Sequence, residues 1–381
     1  LNQLKQPAAT TAWASQPNPL HNPHNITNPR LQSWEATQKQ THEFIRGRKT
    51  HFTNSFVGEK TKPMPNVTID NITIEVPAGT TILNAARMIG ENVPPAMCYY
   101  SKLKGSGGKC RVCLVKVTKS SEQNPRGMPK LVASCCTQIA DGMVVENVTS
   151  PEVIEARKGI VELLLINHPL DCPICDQAGE CHLQDLSYEH GAATTRYEFG
   201  RRTFNKIDIG PYIQLHMTRC ILCYRCVYVA DQLTDERRHG IINRGDAAEI
   251  STYIQNIIDN DFSGNVIDVC PVGALTDRTF RFKSRVWFTK PYNAHRNCDH
   301  EKCSGKVALW FQGDEVLRVT GRKDKYGEVD EFICNTCRFE KKEKMDWVIE
   351  GPRRIDTHSV IAQNHLPYEL DVVHPQIGQA Q

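Results

Sequence analysis

Cysteine spacing narrows what this chain can become more than any other feature. Sixteen cysteines stand at 98, 110, 113, 135, 136, 172, 175, 181, 220, 223, 226, 270, 298, 303, 334 and 337 of 381 residues. Disulfide scaffolds are usually short secreted chains, whereas repeated Cys-x2-Cys in a long chain points to metal and a reducing compartment. The sharpest instance is Cys220-Ile-Leu-Cys223-Tyr-Arg-Cys226, after which forty-three residues intervene before Cys270-Pro271. Three cysteines at x2 spacing wrap one corner of a cubane, and a remote Cys-Pro supplies the fourth ligand. Cys220, Cys223, Cys226 and Cys270 are therefore read as a [4Fe-4S] site, since zinc almost always takes pairs rather than a triplet.

A second run, His168-Pro-Leu-Asp-Cys172-Pro-Ile-Cys175-Asp-Gln-Ala-Gly-Glu-Cys181, places one imidazole and three thiols in fourteen residues. Pro169 and Pro173 exclude a regular helix or strand, so the four ligands lie on a folded-back loop and converge on one metal. On these residues alone a zinc site of three thiolates and one imidazole fits as well as an iron-sulfur cluster. Just upstream, Ser150-Pro151-Glu152 predicts a helix start. Val153, Ala156, Ile160, Val161, Leu164 and Leu165 give that helix an apolar face through Asn167, and His168-Pro169 ends it.

Earlier still, Val67-Thr-Ile-Asp-Asn-Ile-Thr-Ile-Glu-Val76 reads as a hairpin turning at Asp70-Asn71. Ala78-Gly79-Thr80-Thr81 then supplies a helix start, with Ile82, Ala85, Ala86 and Ile89 on one face. A hairpin crossed by a helix suggests a β-grasp, ferredoxin-like unit. Directly after it come Cys98, Cys110 and Cys113, with Lys104-Gly-Ser-Gly-Gly108 between the first two. Such glycines let backbone N–H groups approach the sulfurs of a [2Fe-2S] cluster, and a long loop, a close pair and a distant fourth thiol is the plant-type arrangement. Cys135 and Cys136 compete for that fourth place.

Residues 1–65 are rich in Pro, Asn, Gln, His and Thr, with Glu35, Glu43 and Glu59 their only acids, and read as an extended arm that wraps a partner or as a loose terminus. The start at Leu1 is read as an organellar leader already removed, an arbitrary start looking the same. A net charge of +3 without a basic stripe argues against nucleic acid. The longest apolar stretch, Gly159 to Ile166, falls far short of the roughly 18 residues of a membrane span.

Four stretches together resemble the large iron-sulfur subunit of respiratory complex I, the proton-pumping NADH:ubiquinone oxidoreductase. They are Gly108-Lys-Cys-Arg-Val-Cys-Leu-Val115, His168 through Cys181 extended by His-Leu-Gln-Asp185, Met217-Thr-Arg-Cys220, and Ser263-Gly-Asn-Val-Ile-Asp-Val-Cys-Pro-Val-Gly-Ala-Leu-Thr276. The likeness runs from about Asn66 to Trp287. It implies a [2Fe-2S] cluster on Cys98, Cys110, Cys113 and Cys135, a [4Fe-4S] cluster on His168, Cys172, Cys175 and Cys181, and an all-cysteine [4Fe-4S] cluster on Cys220, Cys223, Cys226 and Cys270. It also implies a mitochondrial, matrix-side electron relay with no substrate site of its own. Its partners would be the flavin/NADH-binding subunit, a second [2Fe-2S] subunit and quinone-side iron-sulfur subunits.

Three departures stand out. Ser120 to Gly127 looks like a surface insert between Cys113 and Cys135. Tyr224 replaces a common threonine, which is read as harmless. The long molybdopterin-oxidoreductase-like domain of the family is mostly missing, the remainder being a separate chain or lost. Near the cut, Cys298-x4-Cys303 and Cys334-x2-Cys337 flank a strand-rich piece, Lys306 to Val319, that turns at Gly313-Asp314. Two thiol pairs joined by a hairpin are the usual zinc-ribbon geometry, and zinc is the occupant chosen over an extra cluster or an empty site.

The expected fold is α+β. It has an arm at 1–65, the [2Fe-2S] domain at 66–150, a helix with the loop of His168 and its three cysteines at 151–205, a [4Fe-4S] ferredoxin-like domain at 206–290, a small β domain at 291–345 and a tail at 346–381. Two other readings compete with the relay. One is the same role in an NAD-linked hydrogenase or formate dehydrogenase, and the other is a zinc-stabilised scaffold without redox function. The cysteine motifs of an iron-only hydrogenase are absent after Cys270.

Overall fold

The computed structural model describes residues 64–351, except 193, 199, 205, 206, 235–238, 253–257 and 259. The expected arm therefore lies outside the described residues save its last two positions, and the tail lies outside them from 352 onward.

The first unit is a sheet of five strands. β1 (Asn66–Ile69) and β2 (Ile72–Glu75) form the expected hairpin, with Val67 opposite Ile74. Asp70 and Asn71 both take positive φ, 44° and 72°, as the tight two-residue turn of type I′ requires. β3 (Leu114–Lys119), β4 (Val132–Ala133) and β5 (Met143–Glu146) complete the order β2-β1-β5-β3-β4, β5 running parallel to β1. Helix α1 (Ile82–Ile89) starts at Thr81, whose hydroxyl accepts from the Asn84 N–H at 3.4 Å, and stops at Gly90, whose left-handed φ of 87° fits a glycine. Ile82, Ala85 and Ala86 pack on Val67, Ile69, Val115 and Val117. The Glu122–Gly127 stretch between β3 and β4 is exposed.

Helix α2 (Pro151–Leu165) has proline in its first turn and follows Ser150, whose side chain makes no capping bond. It ends two residues before Asn167, and the His168 N–H then bonds the Leu165 carbonyl at 3.3 Å. Its inner face differs from expectation. Val153 and Val161 are buried, but so is Arg157, which donates to the carbonyls of Val112 (3.2 Å) and Leu114 (3.3 Å) and to Asn147 Oδ1 (2.7 Å). A guanidinium is tolerated there because its donors meet acceptors already fixed by the first unit.

Helix α3 (His182–His190) packs beside α2. Next come β6 (Ile207–Asp208), β7 (Ile213–Leu215), α4 (Arg225–Leu233), the hairpin β8 (His239–Ile242) and β9 (Glu249–Thr252), α5 (Asn265–Val269) and β10 (Leu275–Asp277). β10, β7 and β6 pair side by side. The last sheet has β11 (Lys290–His295), β12 (Lys306–Gln312) and β13 (Glu315–Gly321), turning at Gly313 as expected, and β14 (Val348–Ile349) closes on Ala294 and His295. Its centre is Ala294, Val307, Leu309, Val319 and Ile333, all fully buried. This sheet reaches back to the first unit through Glu328. That buried carboxylate accepts from Arg87 at 2.8 Å and from the Ser101 N–H at 2.8 Å, while the Val329 N–H donates to the Tyr100 hydroxyl at 2.6 Å. Among the described residues no helix is long and apolar enough to cross a membrane.

Candidate metal centres

Cys98, Cys110, Cys113 and Cys135 are all buried, at most 7% exposed. The Cys110 N–H donates to Cys98 Sγ at 3.4 Å, and the Cys113 and Cys135 sulfurs lie 3.4 Å apart. Cys113 and Cys135 thus form a close thiol pair, with Cys98 and Cys110 beside each other in the same buried set. The Gly108 N–H points at Cys135 Sγ (3.2 Å), and the N–H groups of Lys109 and Cys110 point at Cys98 Sγ (3.3 and 3.4 Å). Gly107 and Gly108 permit this at φ of 109° and 74°, and a Cβ on Gly107 would sit 3.2 Å from the Cys135 sulfur. Hydrogen bonds from Cys110 and Cys135 push Cys98 far below the usual thiol range, while Cys110 and Cys135 are pushed up by the neighbours they serve. Such a group holds one negative charge readily, and several only if a cation joins it. Cys136 is exposed, with its sulfur 3.6 Å from that of Cys135.

The second set sits on the proline-rich loop. Cys172 opens a single 3-10 turn that ends at Cys175, and Cys175 and Cys181 are buried. His168 lies at the end of α2, with its Nδ1 buried and unpartnered. Burial lowers its pKa to about 4, so the imidazole is neutral and free to donate a lone pair at physiological pH. Burial also raises Cys181 to about 11, with Cys175 and Cys172 adding to the effect. The loop is clamped by arginines: Arg219 forks onto Asp171 at 2.5–3.2 Å, and Arg285 donates to the carbonyls of Cys175 (2.9 Å) and Pro173.

The third set lines a cavity. Cys220, Cys223, Cys226 and Cys270 surround it together with Leu215 and Ile250, almost without polar surface. Leu222 and Tyr224, with φ of 53° and 66°, bend the backbone around it, and the Leu222 N–H points at Cys220 Sγ at 3.3 Å. Strain at two non-glycine residues is a common mark of a functional loop. Burial raises all four thiols, Cys223 to about 12, so their ionised form needs a cationic centre. Arg225 lies 2% exposed between them and the first set, donating to the Val269 carbonyl (3.2 Å) and the Tyr99 carbonyl (2.6 Å).

These three sets meet in one place. Cys98, Cys110, Cys181 and Cys223 belong to a single apolar cluster with Met97, Val161 and Val272, against which Cys220 and Cys270 also pack. The Cys270 loop touches the second set: the His182 N–H bonds the Pro271 carbonyl at 3.2 Å, and a Cβ on Gly273 would lie 2.2 Å from Cys175 Sγ, so only glycine fits. On the other side, Lys109 Nζ reaches the Tyr228 hydroxyl on α4 at 2.6 Å.

Cys298, Cys303, Cys334 and Cys337 form the tightest group, their sulfurs all within 4.8 Å of one another. Hydrogen bonds from Cys334 and Cys337 push Cys303 far down, and Cys334 rises to about 11 in return. What residue-by-residue reading overlooked is the set of buried arginines, 157, 219, 225, 318 and 338, each no more than 5% exposed. Three of them adjoin or lie between motif cysteines, and that adjacency was the available signal.

Family descriptions match three successive stretches. Residues 63–150 match a 2Fe-2S iron-sulfur cluster binding domain, 157–196 the NADH-ubiquinone oxidoreductase-G iron-sulfur binding region, and 210–276 the ferredoxin-like domain of NADH-quinone oxidoreductase subunit 3. The NADH-quinone oxidoreductase G subunit of Rickettsia bellii is 40% identical over 277 residues, 72% of this chain and 38% of that protein. The NADH-ubiquinone oxidoreductase 75 kDa subunit of Reclinomonas americana gives the same 40%, 72% and 38%. A mitochondrial relative, NADH dehydrogenase (ubiquinone) iron-sulfur protein 1 of Solanum tuberosum, is 40% identical over 72% of this chain and 35% of its own length. The chain thus spans less than two fifths of the length of these relatives. Among solved structures, a chain of an NAD+-reducing [NiFe]-hydrogenase in the H2-reduced state superposes with a TM-score of 0.50 at 26% identity, covering 58% of this chain and 91% of that one.

Proposed function

We propose that this chain, a homologue of the N-terminal part of the NADH-quinone oxidoreductase G and 75 kDa subunits, is an electron-relay subunit of a mitochondrial respiratory complex I. In this reading Cys98, Cys110, Cys113 and Cys135 hold a [2Fe-2S] cluster. His168, Cys172, Cys175 and Cys181 hold one [4Fe-4S] cluster, Cys220, Cys223, Cys226 and Cys270 hold a second, and Cys298, Cys303, Cys334 and Cys337 hold zinc. The division at 66–150, 151–205, 206–290 and 291–345 follows these four sets, with the first unit a β-grasp. Partners are the flavin/NADH-binding subunit on one side and quinone-side iron-sulfur subunits on the other, on the matrix face of the inner membrane.

The observation that carries the reading is the shared apolar core in which thiols of all three cluster sets are buried together. Bound clusters supply one-electron transfer, and the chain's own residues set its conditions. Met97, Val161 and Val272 exclude water between the sets. The N–H groups of Gly108, Lys109 and Cys110, with Arg219 and Arg225 beside the other two sets, offset the negative charge of thiolates and sulfides. The neutral His168 removes one negative charge from its set.

The hydrogenase likeness supports a second placement, the same relay in an NAD-linked hydrogenase, but the 40% relatives favour the first. Iron and acid-labile sulfide analysis of the purified chain tests the relay. About ten irons with matching sulfide are expected, and zinc without iron would leave only a scaffold.

A further inference from the structure

The fourth set stands apart in how little room its sulfurs leave. Cys298 Sγ is 3.6 Å from both Cys334 Sγ and Cys337 Sγ, and Cys303 Sγ is 3.8 Å from Cys337 Sγ. A single zinc ion with Zn–S near 2.3 Å places tetrahedral sulfurs about 3.8 Å apart. A cubane assigns each cysteine to a different iron and inserts its own sulfides between them, so its cysteine sulfurs cannot touch. Two backbone donors already face this group: the Cys334 N–H lies 3.3 Å from Cys303 Sγ, and the Cys337 N–H 3.5 Å from Cys334 Sγ.

The segment carrying the second thiol pair also grips the approach to Cys270. Arg338, on a turn of π-helix at Thr336–Glu340, is 1% exposed and forks onto Asp268 at 2.5 and 3.1 Å. Asp268 lies on α5, two residues before Cys270. Asn335 Nδ2 donates to the Asn260 carbonyl (2.8 Å) and Ser263 Oγ (2.9 Å), and its Oδ1 accepts from the Gly264 N–H (2.9 Å). Asn265 closes the seam, donating to the Ile333 carbonyl at 2.8 Å and accepting from the Ile333 N–H at 3.2 Å. Every residue from 333 to 338 that makes one of these bonds is next to, or between, Cys334 and Cys337.

We propose that Cys298, Cys303, Cys334 and Cys337 hold one redox-silent zinc ion, and that the Cys334–Cys337 turn it closes is the brace that positions Cys270. This rests on the reading of the four-cysteine site as zinc and of Cys270 as a cluster ligand. Arg338 and Asn335 are positioning residues: Arg338 touches α5 and Asn335 the segment just before it, and neither touches the metal. Zinc, closed-shell and without redox chemistry, fits such a role.

The experiment uses the full chain carrying its iron. Zinc-edge X-ray absorption with metal analysis is expected to give one zinc per chain with four sulfur neighbours near 2.3 Å. Cys298→Ser is expected to lose that zinc without losing iron from the first two sets, and to alter the EPR signal of the Cys270 centre. Arg338→Met is expected to keep the zinc and lower the midpoint potential of that centre, because Asp268 loses its counter-charge. About fourteen irons and no zinc per chain would overturn the zinc. Zinc retained with an unshifted potential in Arg338→Met would overturn the brace. If Cys298→Ser fails to fold, absorption on the unaltered chain and the Arg338→Met titration still decide both points. A chain with zinc but no iron anywhere would sink the relay and leave the mononuclear site standing.

Discussion

Two four-cysteine groups lie on either side of α5, and they could hardly be built more differently. Cys220, Cys223, Cys226 and Cys270 stand around an apolar cavity, whereas Cys298, Cys303, Cys334 and Cys337 touch one another. Residue type and ligand number are the same in both, so neither distinguishes a cubane from a single ion. The two groups differ in backbone: positive-φ residues Leu222 and Tyr224 bend the Cys220–Cys226 loop around its cavity, while a hairpin brings two distant pairs into contact. Spacing in sequence mattered only because it produced spacing in space.

The strongest attack on this contrast is a matched pair of substitutions. Cys226→Ser is expected to remove about four of roughly ten irons and one EPR signal with zinc retained, whereas Cys334→Ser should remove zinc alone. Equal iron losses in metal analysis would erase the difference.

Next in size is the ion pair that ties the second set's loop to the last sheet. Glu180, just before Cys181, accepts from Arg318 on β13 at 2.6 and 3.1 Å, with Lys323 at 3.6 Å. Burial alone would raise this carboxyl, but the Arg318 and Lys323 charges overcome it and bring its pKa down from 4.5 to about 2. A depressed acid stabilises the fold fully above its unfolded pKa and loses that contribution as pH falls through the folded one. Stability should therefore drop by up to about 3 kcal/mol between about pH 4.5 and 2. Thermal unfolding of Glu180→Gln should be less stable than the natural chain at pH 6 and converge with it as the medium is acidified. A constant gap across that window would exclude the pair as its origin.

Smaller again is the effect of ligand identity. His168→Cys should lower the potential of the second set's centre by on the order of 100 mV, because a thiolate restores a negative charge. An EPR-monitored titration that superimposes on the original would remove His168 from the set of ligands. Last, Cys136→Ser should change neither iron content nor stability by more than about 0.5 kcal/mol, since this thiol is exposed while its neighbour Cys135 is 4% exposed. Loss of two irons in this variant would exchange the roles of the two cysteines.

Features written into neighbouring residues were legible in advance. The Asp70-Asn71 turn, the Thr81 helix start and the Gly313 hairpin each follow from a local conformational preference, and the structure has all three. Cysteine spacing belongs to the same class, because a Cys-x2-Cys pair is close whatever surrounds it. Buried arginines belong to the opposite class. Composition places charged side chains outside, so Arg157 in the middle of an apolar helix face and Arg338 under α5 contradict the prior until their acceptors are seen. Those acceptors lie up to 73 residues away in sequence for Arg338 and 45 for Arg157. No local rule reaches that far. The burial of Cys135 and exposure of Cys136 were equally hidden, since adjacent residues carry the same spacing to the other three thiols within one position.

Glu328 carries a consequence in time. Its carboxylate closes the Tyr99–Ser101 stretch beside Cys98 and holds Arg87, 241 residues earlier in the chain. Domains generally fold as units while the chain emerges from the ribosome. Here the loop around the first thiols is completed only by a residue synthesised after every ligand of the second and third sets. The order in which the ligands are made is thus not the order in which their surroundings are finished, and the first site in sequence is among the last to be sealed.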